Sequence, residues 1–148
     1  MRIFLIFANG ICAVSAGFLF LYFLNYDFTS WVIANVSSLL QLLVVFFLIF
    51  GKKTLMNVLV PFLLFYGGGG LFLFDWSSTA MPVQISHSIM VLTALYIIYL
   101  MIARWEIGKL VIGIIIGIVL FVPFRAYEIY YLKAHPKIKT DFELFRGE

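Results

Sequence analysis

Hydrophobic and polar positions in this chain fall into long blocks rather than short alternations. Apolar stretches cover residues 3–24, 31–50, 55–74, 83–103 and 107–124, and the polar residues gather between them. A helix that crosses a bilayer needs about 20 apolar residues, so the pattern predicts an all-α polytopic helical bundle. Five transmembrane helices fit best, followed by a charged and aromatic tail over 125–148. The last stretch is the weakest: Leu110 to Phe124 is only fifteen residues. It crosses only if Ile107 and Gly108 join it with Lys109 snorkelling, or if the helix runs on past Pro123. The alternative is four spans and a re-entrant or interfacial segment with the tail inside; in either case Tyr127, Tyr130 and Tyr131 suggest that the tail's first turns lie along the membrane surface.

The third stretch is the most unusual. It carries Pro61 in its first half, then Gly67, Gly68, Gly69 and Gly70 in succession, and Asp75 with Trp76 at its far end. Four helical glycines cost about 3–4 kcal/mol of propensity relative to alanine. Successive residues point about 100° apart, so four cover nearly the whole circumference, and packing on one neighbour needs only one or two. Two readings stay open. One is a thin waist gripped by several helices; the other is a break, which must face protein or water because lipid satisfies no backbone groups.

Polar residues inside the other stretches are few. Asn35, Ser38 and Gln41 form one stripe at i, i+3, i+6, and Gln84, His87 and Ser88 share a face of the fourth span. Counting inward at 1.5 Å per residue puts Asn35 roughly 6 Å, Ser38 roughly 10 Å, and Gly70 and His87 roughly 7–8 Å below one membrane surface. With inward polar faces they would form a cup for a small molecule or ion, with Asp75 at its lip and Gln84 above His87. The competing reading is interhelical hydrogen-bond glue. Small residues mark packing faces: Ala8, Cys12 and Ala16 recur at i, i+4, i+8, Ala13 and Gly17 repeat the spacing, and Gly113 and Gly117 form a small-xxx-small pair.

Basic residues set the orientation. Arg2, Lys52, Lys53, Arg104 and Lys109 fall on one side, Asp27 and Asp75 on the other, which places the N-terminus in the cytoplasm. A fifth crossing sends Arg125, Lys133, Lys137, Lys139 and Arg146 outside, against that rule. At an offset of fifty, Gly17/Gly67, Leu21/Leu71, Thr29/Thr79 and Ser38/Ser88 coincide, a weak sign of parallel duplication of a two-helix hairpin over 1–50 and 51–103.

Composition agrees with a bilayer. Of 148 residues, 64% are hydrophobic and 11% charged, against roughly 25% charged in soluble domains; mean hydropathy is +1.11. The net charge of +3 sits at helix ends, where it meets headgroups rather than nucleic acid. Met1-Arg2, the following IFLIF and Val14-Ser15-Ala16 imitate a signal peptide, but apolar sequence continues through Gly17–Leu24 and reads as an uncleaved first span. Cys12 is a small packing residue rather than a reactive thiol.

Enzyme readings are poor. His87 and His135 lack metal-ligand spacing, Ser86, His87 and Ser88 point apart without a Gly-x-Ser-x-Gly turn, and the glycine run lacks the Lys-Ser/Thr of a phosphate loop. No catalytic residue, metal or cofactor is predicted, and no family is recognisable in these residues. Two classes remain for what is expected to be a protein of the plasma (bacterial inner) membrane. The first is a small transporter, channel or ligand-binding protein, a homo-oligomer if it forms a pore. The second is a non-catalytic subunit or assembly partner of a larger membrane complex.

Overall fold

The computed structural model describes residues 1–73 and 81–138. Among these residues six helices follow one another: α1 (Arg2–Leu24), α2 (Phe28–Ala34), α3 (Val36–Phe50), α4 (Lys53–Leu73), α5 (Met81–Ala103) and α6 (Ile107–Ala134). Three are long and apolar enough to cross a membrane, with windows at Leu55–Phe72, Val83–Ala103 and Ile107–Ala134, or four if α2 and α3 count as one bent span. Arg2–Ser15 of α1 adds a shorter apolar stretch. The chain is thus a helical bundle of membrane character.

Helix ends follow local chemistry. Asn25 ends α1 with φ 48° and Gly51 ends α3 with φ 67°, the latter's N–H bonding the Phe47 carbonyl. Both residues adopt the left-handed region more readily than branched side chains do. Arg2 reaches across to the end of α3. Its Nε donates to the Leu48 carbonyl at 3.0 Å and its Nη2 donates to the Leu48 and Ile49 carbonyls at 2.6 and 3.2 Å, satisfying groups that a helix C-terminus leaves open.

The core runs along the line where α1, α3, α4 and α5 meet, through Leu5, Val44, Met56, Leu63, Met90 and Ile97. Interhelical hydrogen bonds cross it. Asn9 Nδ2 donates to Thr93 Oγ1 at 3.0 Å, tying α1 to α5, and Gln41 Nε2 donates to Ser86 Oγ at 3.0 Å, tying α3 to α5. Outside this group, α6 packs on α4. A Cβ at Gly113 would collide with Asn57, and one at Gly117 with the Val58 carbonyl and the Pro61 ring. Phe121 completes the seam edge-on to Phe62, ring centroids 5.2 Å apart. The buried residues of α6 are Leu110, Gly113, Gly117 and Glu128, so most of its surface, including Ile112, Ile115, Val119 and Val122, is exposed.

Two expectations change, and one open alternative closes. The second stretch, expected as one helix over 31–50, divides at Asn35 into α2 and α3, bent by 82°. Asparagine offers the backbone a side-chain alternative to the helical ladder, and a serine three residues on reinforces it. The glycine run, one reading of which was a break, stays helical within α4, because α5 grips it. The fifth stretch does not stop at Phe124: α6 passes through Pro123 to Ala134, so the tail's first turns continue that helix instead of starting a separate surface segment. The suggested duplication keeps its two antiparallel hairpins, but the break at Asn35 has no counterpart at Ile85, which lies in the unbroken α5.

Candidate functional site

The break is built from both sides. Asp27 starts α2 as its N-cap, accepting from the Ser30 N–H at 3.0 Å, and the Ser30 hydroxyl donates to the same carboxylate. These bonds favour the ionised form and hold the Asp27 carboxyl below its ordinary range. Ser30 Oγ also lies 3.2 Å from the Tyr131 hydroxyl, which anchors α2 to α6. At the other end of α2, Asn35 has φ −126° and ψ 35°, outside helical geometry. The last carbonyls of α2 and the first amides of α3 therefore leave the ladder.

Asn35 is 2% exposed, and Ser37 and Ser38 beside it are also buried. Its Oδ1 accepts from Ser38 Oγ at 2.5 Å. Its Nδ2 is buried without a hydrogen-bond partner among the described residues. A buried orphan donor costs about 1–3 kcal/mol and calls for an explanation. Asn35 is the N-cap of α3, a helix end whose dipole favours an acceptor.

The predicted site residues separate into groups. Asn35 and Ser38 pair with each other at the break. Gln41, one turn deeper, is bound to Ser86: Nε2 donates to its hydroxyl and, at 3.3 Å, to its carbonyl. His87 is 1% exposed and seated on the glycine face. A Cβ at Gly70 would run into its ring, and one at Gly67 would lie 3.0 Å from its carbonyl oxygen. The imidazole thus occupies the space that the missing side chains leave, and its partner is the Val83 backbone. Gly68 has nothing within 4 Å of a Cβ position, and Gly69 is half-buried. Gln84 is buried and its carbonyl accepts from Ser88 Oγ at 2.8 Å. Asp75 lies outside the described residues. Of the packing residues, Ala13 is buried in α1, and Gly17 faces Trp31, whose ring lies 3.6 Å from a Cβ position.

A second polar cluster escaped the sequence reading. Glu128 is 3% exposed in α6, pairs with Arg125 Nη1 at 2.6 Å, and accepts a hydrogen bond from the Tyr66 hydroxyl of α4. The Arg125 guanidinium also lies over the Phe65 ring, 5.3 Å from its centroid. The signal was present as Arg125-x-x-Glu128, an i, i+3 pair, but it registers only if the helix continues beyond Pro123. Asn57 was passed over as well. It is fully buried one turn before Pro61, with Nδ2 directed at the Lys109 carbonyl at 3.5 Å.

These groups supply donors and interhelical ties. Among the described residues no three His, Cys, Asp or Glu side chains are placed to share a metal ion. The buried amide of Asn35 at an interrupted helix is the feature with a binding chemistry of its own. In comparison with known proteins, no family model, curated protein or solved structure matches this chain.

Proposed function

We propose that the chain is a five-span membrane protein, N-terminus inside, that binds a small acceptor-bearing solute or anion at the Asn35 break in the outer half of the bilayer. The observation that carries this reading is the buried, unpartnered Asn35 Nδ2 beside the first turn of α3. Interrupted helices inside membranes persist where the freed backbone meets protein or a ligand, and half-helix N-termini suit anionic groups. The site is narrower than the predicted cup: Ser38 completes it, while Gln41 and His87 serve the packing. A protomer of five spans makes a thin wall, so transport or conduction would proceed through a homo-oligomer. The plasma membrane is the location that the distribution of basic residues supports.

The test is the unfolding temperature of the detergent-purified protein with acetate, glycine, chloride and inorganic phosphate. At least one should raise it in the wild type and fail to do so in Asn35→Ala. If none of the four does, or if Asn35→Ala responds equally, the reading fails.

A second reading, a non-catalytic subunit of a larger membrane complex, is favoured by one observation: Asn9, Gln41 and Ser86 are spent on interhelical bonds. Gly113 and Gly117 are taken up within the chain, because they already pack on α4. Gly68 remains open. This reading expects Gly68→Leu to reduce the mass of the assembly extracted in mild detergent, with Asn35→Ala silent.

A further inference from the structure

At the end of the bundle where α1 begins and α3 and α5 finish, a cleft of about 170 Å³ lies between Arg2 and Arg104, with Tyr96, Met56 and Leu100 in its walls. Arg2 also borders a wider open groove of about 590 Å³, whose apolar sides include Ile3, Ile6 and Ile49. The two share a guanidinium that is not free to swing away, since the Leu48 and Ile49 carbonyls hold it in place. Among the described residues, no acidic side chain lines either recess. The acid nearest Arg104 in sequence, Glu106, pairs with Lys109 at 3.0 Å.

We infer that this recess holds an anionic phospholipid, with its phosphate between Arg2 and Arg104 and one acyl chain along Ile3, Ile6 and Ile49. Two guanidiniums and no carboxylate favour a headgroup that brings no cation of its own. A choline or ethanolamine group would add a third positive charge. The apolar sides select a lipid over a free anion, because inorganic phosphate would cover none of that surface. Basic recesses between helices at the cytoplasmic surface are suited to such headgroups. The inference rests on the membrane reading of the chain and not on the Asn35 site.

The experiment is native mass spectrometry of the full chain in detergent, supplied with equal phosphatidylglycerol and phosphatidylcholine of matched chains. The wild type should retain phosphatidylglycerol at least about fivefold over phosphatidylcholine, the effect of one interfacial arginine. Arg104→Gln, which leaves Arg2 in place, should cut the preference about fivefold. Arg104 is exposed and outside the core, so this variant is expected to fold, and circular dichroism checks that it does. Arg104→Lys should keep part of the preference. Lys109→Gln, which removes a cation already paired with Glu106, should keep all of it. Equal retention of both lipids, an unchanged preference in Arg104→Gln, or displacement of phosphatidylglycerol by millimolar inorganic phosphate would each overturn the assignment.

Discussion

The Tyr66 hydroxyl donates a hydrogen bond to the Glu128 carboxylate, joining α4 to α6 across 62 positions of sequence. Arg125 holds the other carboxylate oxygen. Tyr66→Phe removes one donor and is expected to cost about 1–2 kcal/mol. Glu128→Ala leaves Arg125 facing the seam without its counter-ion and is expected to cost about 3 kcal/mol, the low end for a broken buried pair, because Arg125 is 34% exposed. Unfolding of the purified protein in mixed micelles measures both. A Glu128→Ala variant no weaker than Tyr66→Phe would show that the charge pair contributes nothing.

Two glycines of the same run should respond oppositely to one methyl group. A Cβ at Gly70 meets the His87 ring, whereas one at Gly68 meets nothing. Gly70→Ala should therefore destabilise by about 1–3 kcal/mol, and Gly68→Ala should be neutral or gain up to about 1 kcal/mol of helix propensity. Adding His87→Ala to Gly70→Ala should recover part of the loss, since contacting sites are not additive. Equal effects at positions 68 and 70 would contradict the seating of His87.

The bond between Gln41 and Ser86 lends itself to a double-mutant cycle with Gln41→Leu and Ser86→Ala. Interhelical hydrogen bonds of this kind couple by about 0.6 kcal/mol, and that is the value expected. A coupling near zero would mean that the two side chains find other partners when separated.

The α2 cap carries an acid dependence. Asp27 is depressed in the folded chain, first by the Ser30 hydroxyl and then by its N–H. A depressed carboxyl contributes stability that is fully present above its unfolded pKa, about 3.9, and lost as pH falls through the lower folded value. Unfolding temperature should thus drop below about pH 4, and Asp27→Asn should flatten that part of the curve. Asp27 is exposed, so the effect is small and salt-sensitive. An identical pH profile in the variant would remove Asp27 from the account.

Much of this architecture was readable from hydropathy alone, because apolar blocks separated by polar connectors leave helices as the only way to satisfy the backbone. The errors lie where a short-range signal competed with a long-range one. Four glycines left both a gripped waist and a break open, and α5, which supplies His87, Met90 and Val91 as close neighbours to Gly67, decides for the helical waist. Asn35 stood inside an apolar stretch and was read as a point on a continuous stripe, although Asn-x-x-Ser also describes a helix start. The helix past Pro123 was one of two options for the fifth stretch, and α6 takes it, which places Glu128 beside Tyr66. Which polar groups meet depends on how helices far apart in sequence are registered, and the local pattern does not encode that. The proposed solute site shares this limit: Asn35 was visible, while the turn that buries its amide was not.

The bend at Asn35 also bears on the surrounding lipid. α3 has 15 residues and so reaches only about 22 Å, while α2, turned through 82°, adds little height. If α2 and α3 form one span, as their combined hydropathy allows, a hydrocarbon layer of about 30 Å exceeds their reach, and the neighbouring leaflet would thin to meet it. The protein should accordingly favour thin or readily compressed membranes, and in thick ones the strain of that mismatch would concentrate beside α2.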